Sequence, residues 1–135
     1  GPLRAALRRW LEDERYDVIH YNNVSLMGGG EIFDLGTAIK LCTLSDHWLV
    51  CARHNLRRFG REHCTRPTCW RCTVHGGRPP QWWRAAGRVT RGVDRVDTFL
   101  APSAATVATH RARGFAGAIE CLPLFATEHA AASRA

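Results

Sequence analysis

Long apolar runs and lysine are what this sequence lacks most. No stretch approaches the ~20 consecutive apolar residues that a membrane-spanning helix needs. The amino end, GPLRAALRRW, is interrupted by arginines and has no continuous apolar core of the kind found in secretory signals. These absences predict a cytoplasmic protein, and in such a reducing compartment structural disulfide bonds are rare.

Lysine is nearly absent, since Lys40 is the single lysine among nineteen basic residues, and the formal net charge is +7. Arginine binds phosphates and carboxylates through paired hydrogen bonds, so an anionic partner is one interpretation of this excess. A coding bias that favours Arg and Ala is the other. The charge alone does not choose among nucleic acid, anionic lipid and nucleotide.

Short β-branched and aromatic runs alternate with segments of helical periodicity. The predicted strands are YDVIHY (16–21), LCTL (41–44), DTFLA (97–101) and AIECLPLF (118–125). The predicted helices are 3–11, 31–40, 81–96 and 104–113. Strands that alternate with helices predict an α/β fold, with right-handed crossovers and a parallel sheet covered by helices on both faces.

Polar residues follow the first two predicted strands. Asn22 and Asn23 come after the first strand, and Ser45, Asp46 and His47 come after the second. In open parallel sheets ligands bind beyond the carboxyl ends of the strands, so these residues are candidates for a binding site. Asp46 is expected either to orient a ligand hydroxyl or to cap the turn that follows it.

Three consecutive glycines and one serine are further candidates. Gly28, Gly29 and Gly30 precede a predicted helix, where backbone N–H groups can bind a phosphate, although a flexible turn explains the triplet equally well. Ser103 is the predicted N-cap of the helix 104–113.

The α/β pattern stops in residues 51–80, which are rich in Arg, Cys, His, Gly and Pro. Four cysteines there have the spacing C-x12-C-x4-C-x2-C, and they are Cys51, Cys64, Cys69 and Cys72. A C-x2-C pair lets two thiolates approach one cation from a single turn, and two more thiols complete a tetrahedron. This spacing favours a structural zinc ion.

Other interpretations of the Cys-rich segment stay open. A pair of disulfides or free thiols would also account for the four cysteines, and three histidines are alternative metal ligands, namely His54, His63 and His75. Cys42 and Cys121 lie inside predicted strands and are expected to be small core residues.

Several short motifs, taken in order, resemble one enzyme family. DVIHYNN, a Gly-containing helix start, LCTLSDHWLVC with its Cys-rich insertion, DRVDTFLAPSAATVATHRARGF and CLPLF are similar to the family 4 retaining glycosyltransferases of the GT-B fold. The likeness spans about Tyr16 to Phe125, the second half of the family's amino-terminal Rossmann-like domain. It implies a partial acceptor-side domain in 1–125, an insertion in 51–80, and a tail or truncated continuation in 126–135.

The resemblance implies transfer of a sugar from a nucleotide-sugar donor to the hydroxyl of a glycan or lipid-linked acceptor. Many relatives have His-Asp before the Trp, and this chain has Ser45 at the position of that histidine. The implied catalytic candidates are Ser45, Asp46 and His47. The implied cleft candidates are Asn22, Asn23, Gly28, Gly29, Gly30 and Ser103. Peripheral contact with a membrane is a further expectation from the resemblance.

A small zinc-stabilised, basic nucleic-acid-binding protein is the alternative interpretation. It would use the Cys-rich segment and the pair Trp82–Trp83, because aromatic rings beside arginines can stack on bases. The alternation of strands and helices favours the transferase, so nucleic acid is not the expected partner. Since no donor-binding domain is present in these residues, the chain is expected to be inactive alone.

Overall fold

The computed structural model describes residues 2–26, 29–65 and 67–125, so Gly28 and the predicted tail 126–135 lie outside the described residues. The helices are α1 (Pro2–Glu14), α2 (Cys69–His75), α3 (Trp82–Ala85), α4 (Arg88–Val93) and α5 (Ala104–Ala112). The strands are β1 (Val18–Asn22), β2 (Ile39–Thr43), β3 (Arg57–Arg58), β4 (Glu62–His63), β5 (Thr98–Ala101) and β6 (Ile119–Cys121). Two 3₁₀ helices, Val24–Leu26 and Gly30–Asp34, lie between β1 and β2.

The four predicted strands form one parallel sheet. Its order is β1-β2-β5-β6, and each neighbouring pair is parallel. The α/β fold class predicted from the sequence is therefore confirmed. The carboxyl ends of all four strands meet at one edge of the sheet, as they must when parallel strands lie side by side.

The described helices cover one face of this sheet. As the chain proceeds, each new strand is added on the same side of the last, so right-handed crossovers place every connection on the same face. Tyr21, Cys42 and Phe99 point to that face and are buried. On the opposite face Val18 is 47% and Ile39 57% exposed. The expectation of helices on both faces is thus wrong for the described residues, because the strand order never reverses.

Aromatic rings form the centre of the core beneath the covered face. Phe33 and Phe99 are fully buried, and their rings meet edge to face with centroids 6.4 Å apart. Phe115 contacts Phe99 in the same manner at 4.9 Å. Burial of each large apolar side chain contributes about 1.5–3 kcal/mol. The core therefore joins the 3₁₀ helix Gly30–Asp34, β5 and the chain after α5.

Glycines interrupt two segments that were predicted as continuous helices. In 31–40 the 3₁₀ helix ends before Gly36, whose φ is +70°. In 81–96 Gly87, with φ +73°, separates α3 from α4. Left-handed backbone cannot continue a right-handed helix, so both predictions were wrong in extent.

The Cys-rich segment contains regular structure that its hydrophobic pattern did not indicate. β3 and β4 form a two-stranded antiparallel ribbon, and α2 follows it.

Within residues 2–26, 29–65 and 67–125, none of the helices has the length and hydropathy of a membrane-spanning segment.

A close contact between Gly30 and Gly92 fixes α4 against the 3₁₀ helix. A Cβ added at Gly92 would lie 2.3 Å from the Gly30 carbonyl oxygen, and one added at Gly30 would lie 2.7 Å from the Arg88 carbonyl oxygen. Since backbone atoms form the obstacle, a side chain here can be accommodated only by moving one helix away from the other.

Gly92→Ala is expected to lower the free energy of unfolding by about 2 kcal/mol, the cost of an overpacked contact. Urea unfolding monitored by circular dichroism measures it. Thr90→Ala, which places the same residue at an exposed position of α4, is the control and should be neutral or slightly stabilising. Equal stability of Gly92→Ala and the parent chain would contradict the contact.

Candidate functional site

Asn22 and Ser45 come together at the carboxyl edge of the sheet. Asn22 is the last residue of β1, and Ser45 follows β2 by two residues. The Ser45 hydroxyl donates to the Asn22 side-chain oxygen at 3.1 Å, and both residues are exposed. Asn23 has φ +48° and its side-chain oxygen accepts a local hydrogen bond from the Ser25 hydroxyl at 2.7 Å. The edge thus presents a polar pair shared by neighbouring strands.

Asp46 connects this edge to the Cys-rich segment. Its Oδ1 accepts a hydrogen bond from the Trp48 backbone N–H at 2.8 Å, which closes the turn after β2. Its Oδ2 lies 2.9 Å from His54 Nδ1, and because a carboxylate only accepts, His54 is the donor. The capping role considered for Asp46 is therefore present, and both of its oxygens are engaged.

His47 packs against His110 under the covered face. Their ring centroids are 5.3 Å apart, and His110 is fully buried. His110 Nδ1 lies 2.9 Å from the Thr106 carbonyl oxygen, so Nδ1 carries the proton. Within the described residues, His47 Nδ1 and His110 Nε2 are buried without a hydrogen-bond partner.

Burial lowers the pKa of both histidines. At His47 the neighbouring His110 and Arg113 lower the pKa further, while Asp46 opposes them. At His110 the hydrogen bond to Thr106 and the charge of Asp46 oppose the effect of burial. Both rings are consequently neutral at pH 7. A buried imidazolium would lose its hydration, and the surrounding groups do not compensate for that loss.

Gly29, Gly30 and Ser103 have local contacts that account for their positions. Gly29, with φ +125°, is buried near the Trp83 ring, and Gly30 is buried against α4. Ser103 is confirmed as the N-cap of α5, since its hydroxyl accepts from the Thr106 N–H at 3.2 Å. Ser103 follows β5, so it lies at the same sheet edge as Asn22 but two strands away.

Four thiols of the Cys-rich segment line one small cavity, which we call the cysteine cavity. Its volume is about 20 Å³, and its cysteines are Cys51, Cys64, Cys69 and Cys72. Cys51, Cys69 and Cys72 are not in disulfide bonds. Among the residues that the structure describes, no group of three or more His, Cys, Asp or Glu side chains is arranged as a metal site. The thiols therefore converge without closing around a common point.

Donors and positive charge surround the cysteine cavity. The Phe59 backbone N–H donates to Cys72 Sγ at 3.3 Å, and Arg113 Nη1 donates to Cys64 Sγ at 3.5 Å. Burial raises the pKa of the Cys69 thiol, Cys51 raises it further, and the Arg84 guanidinium opposes them. Burial thus outweighs the arginine at this thiol.

Arg84 is a positioning residue that the sequence did not reveal. Its guanidinium lies 5.3 Å from the centre of the Trp48 ring and 5.2 Å from that of Trp83. It also donates to the Leu49 carbonyl oxygen at 3.1 Å. Burial lowers the pKa of Arg84, while the neighbouring thiols Cys69 and Cys51 raise it. The contact with Trp48, which lies far from Arg84 in the sequence, is what marks this residue, and one sequence does not give that proximity.

Two tryptophans of the same region are directed outward. Trp70 is 59% and Trp82 68% exposed, and both line a groove of about 410 Å³. Trp83 instead packs against Trp48, with ring centroids 6.1 Å apart. The pair Trp82–Trp83 is therefore divided between surface and core.

Comparison of the chain with protein-family models, curated proteins and solved structures gives no match. The glycosyltransferase resemblance thus depends on the motifs of the sequence alone.

Stability should decrease as the pH falls below about 6.5, because the unfolded state binds protons at His47 and His110 more readily than the folded state does. Urea titrations between about pH 7.5 and about pH 5 measure the free energy of unfolding and so give its slope against pH. His110→Gln removes one of the two groups and should make that slope shallower.

His63→Gln, at an exposed position of β4, is the matched control and should leave the slope of the parent chain unchanged. If His110→Gln and the parent lose stability equally as the pH falls, burial of a neutral His110 is not responsible for the effect.

Proposed function

We propose that this chain forms the acceptor-side part of a retaining glycosyltransferase, which transfers a sugar from a nucleotide sugar to a hydroxyl of a glycan or lipid-linked acceptor. The observation that carries the proposal is the shared edge at which Asn22, Ser45 and Ser103 follow parallel strands. Such an edge is where open α/β sheets bind their ligands. The reaction class comes from the order of the sequence motifs, which resembles that of the family 4 retaining glycosyltransferases.

The uncovered sheet face supports a larger domain than the described residues form. Val18 and Ile39 are exposed there, and Leu41 and Leu100 on the same face are only partly buried. Parallel sheets in proteins almost always have both faces covered. A further segment on this face would complete a doubly covered, Rossmann-like acceptor domain of the GT-B kind.

Ser45 and Asn22 are the proposed acceptor ligands. Because the Ser45 hydroxyl proton is donated to the Asn22 oxygen, the Asn22 amide N–H groups and the Ser45 oxygen lone pairs are left for sugar hydroxyls. Asp46 acts as a positioning residue, since Trp48 and His54 occupy both of its oxygens.

His47 has a structural role in this scheme. Its ring packs against His110, and burial lowers its pKa, so the ring is neutral at pH 7. Donor binding and departure of the nucleotide belong to a second domain. Peripheral contact with a membrane that carries a lipid-linked acceptor is part of the same proposal.

The proposal is tested with the complete reading frame that encodes these residues, by nucleotide release from a panel of nucleotide sugars and hydroxyl acceptors. Asn22→Ala should lower kcat/KM roughly three- to tenfold, the value of one neutral hydrogen bond. Asn55→Ala, which removes an exposed amide of the Cys-rich segment, is the control and should retain full activity. The proposal fails if no nucleotide sugar is turned over, or if Asn22→Ala is fully active.

Nucleic-acid binding is the second candidate function, and the outward tryptophans favour it. Trp70 and Trp82 are exposed in a strongly basic chain, and the Arg71 guanidinium lies 5.8 Å from the Trp70 ring centre. Aromatic rings beside arginines are the surface on which single-stranded bases stack.

The transferase proposal expects no binding of single-stranded DNA or RNA at about 0.15 M salt, as measured by fluorescence anisotropy. Binding that weakens steeply with salt, and that falls about tenfold or more in Trp82→Ala, would favour the second function. Trp10→Ala, which removes another exposed tryptophan but lies on α1, is the control for loss of an aromatic ring.

A further inference from the structure

We propose that Cys51, Cys64, Cys69 and Cys72 bind one structural zinc ion, which fixes the Cys-rich segment to the sheet. The proposal goes beyond sugar transfer and does not depend on it. It commits to four thiolate ligands and leaves His54 to its contact with Asp46.

The fold brings the four thiols to one place from three separate elements. Cys69 and Cys72 lie three residues apart in α2, and residues at this spacing share one side of a helix. Cys64 follows β4, where its N–H donates to the Leu56 carbonyl oxygen at 2.7 Å. Cys51 follows the turn after β2, where its N–H donates to the His47 carbonyl oxygen at 2.7 Å. Backbone hydrogen bonds thus hold two of the three elements in place.

The cysteine cavity has the size of a single ion. Its volume of about 20 Å³ exceeds the ~10–15 Å³ that one water molecule needs and is too small for an organic ligand. Tetrahedral zinc–thiolate bonds are about 2.3 Å long, so binding requires the four side chains to close around the ion. The four thiols already line this one cavity, so the side chains that must close belong to a single lining.

The surroundings of the cavity suit a negative cluster. Zinc with four thiolates carries a formal charge of about −2. The Phe59 N–H is directed at Cys72 Sγ, Arg113 donates to Cys64 Sγ, and Arg53, Arg57 and Arg58 line the cavity. On binding, the thiols release their protons to solvent, and no oxidant or reductant takes part.

The Cys-rich segment lacks the apolar core that would otherwise order it. Among its described residues only Ala52, Leu56 and Thr73 are buried. Small units without a sufficient core are usually stabilised by disulfides or a metal. Since Cys51, Cys69 and Cys72 are not in disulfide bonds, a metal is the remaining cross-link for this segment.

The experiment measures metal in the chain purified without chelator. Elemental analysis should find about one zinc per chain, and the cobalt(II)-substituted chain should show the visible absorption of tetrahedral thiolate coordination. Cys69→Ser should reduce bound zinc at least about tenfold. Cys121→Ser is the matched control, because Cys121 is exposed in β6 and does not line the cavity, and it should keep the parent zinc content.

A second experiment measures how well zinc protects the Cys-rich segment from proteolysis. Trypsin cleavage after Arg57, Arg58 and Arg61 should accelerate about tenfold or more when zinc is removed by a chelator and should slow again when zinc is restored. This readout uses the parent chain, so it stands even if Cys69→Ser does not fold.

Absence of zinc together with no thiolate absorption from cobalt would overturn the proposal, and so would bound iron or a disulfide among the four cysteines. Equal loss of zinc in Cys121→Ser and Cys69→Ser would also overturn it. Each of these readouts is independent of sugar transfer, so failure of one proposal leaves the other untouched.

Discussion

The hand of the connections between parallel strands is the constraint on which this structure depends. Each connection from β1 to β2, from β2 to β5 and from β5 to β6 passes to the next position on the same side of the sheet. A right-handed path then leaves the described helices one face on which to pack. The aromatic core, the Gly30–Gly92 contact and the buried histidines all lie on that face, while Val18 and Ile39 face outward on the other.

The same constraint collects the polar residues at one edge. Parallel strands end together, so residues that follow them are neighbours however far apart they lie in the chain. Asn22 and Ser45 are separated by twenty-three positions and still share a hydrogen bond. The Cys-rich segment begins after the turn that follows β2 at this edge, and Asp46 accepts hydrogen bonds from both that turn and His54.

Strand composition was enough to predict the sheet and the edge. The β-branched and aromatic runs coincide with β1, β2, β5 and β6, and the ends of the predicted strands indicate Asn22 and Ser45. The extent of the helices was harder to predict from the sequence. Whether Gly36 or Gly87 takes a positive φ depends on the packing around it. This sheet architecture serves many chemistries, so the reaction class comes from the motifs and not from the fold.

Burial was the property that the sequence predicted least well. Cys121, expected in the core, lies at the surface, whereas the polar ring of His110 is fully buried. His20 in β1 is exposed and contacts Thr43 Oγ1 at 2.8 Å, because it points to the uncovered face. Which face of a parallel strand is covered depends on the topology of the whole sheet, and no local pattern reports that.

The contact between Asp46 and His54 joins two regions whose chemistry is otherwise unrelated. Asp46 lies at the polar edge of the sheet. His54 lies in the Cys-rich segment, whose thiols can be oxidised. Oxidation of these thiols, by peroxide for example, would disturb the segment that carries His54. The His54 imidazole, which donates to the Asp46 carboxylate, would then be less firmly placed. The loop that carries Ser45 would then be held less firmly, so the polar pair at the sheet edge depends on the order of a segment that lies beside it.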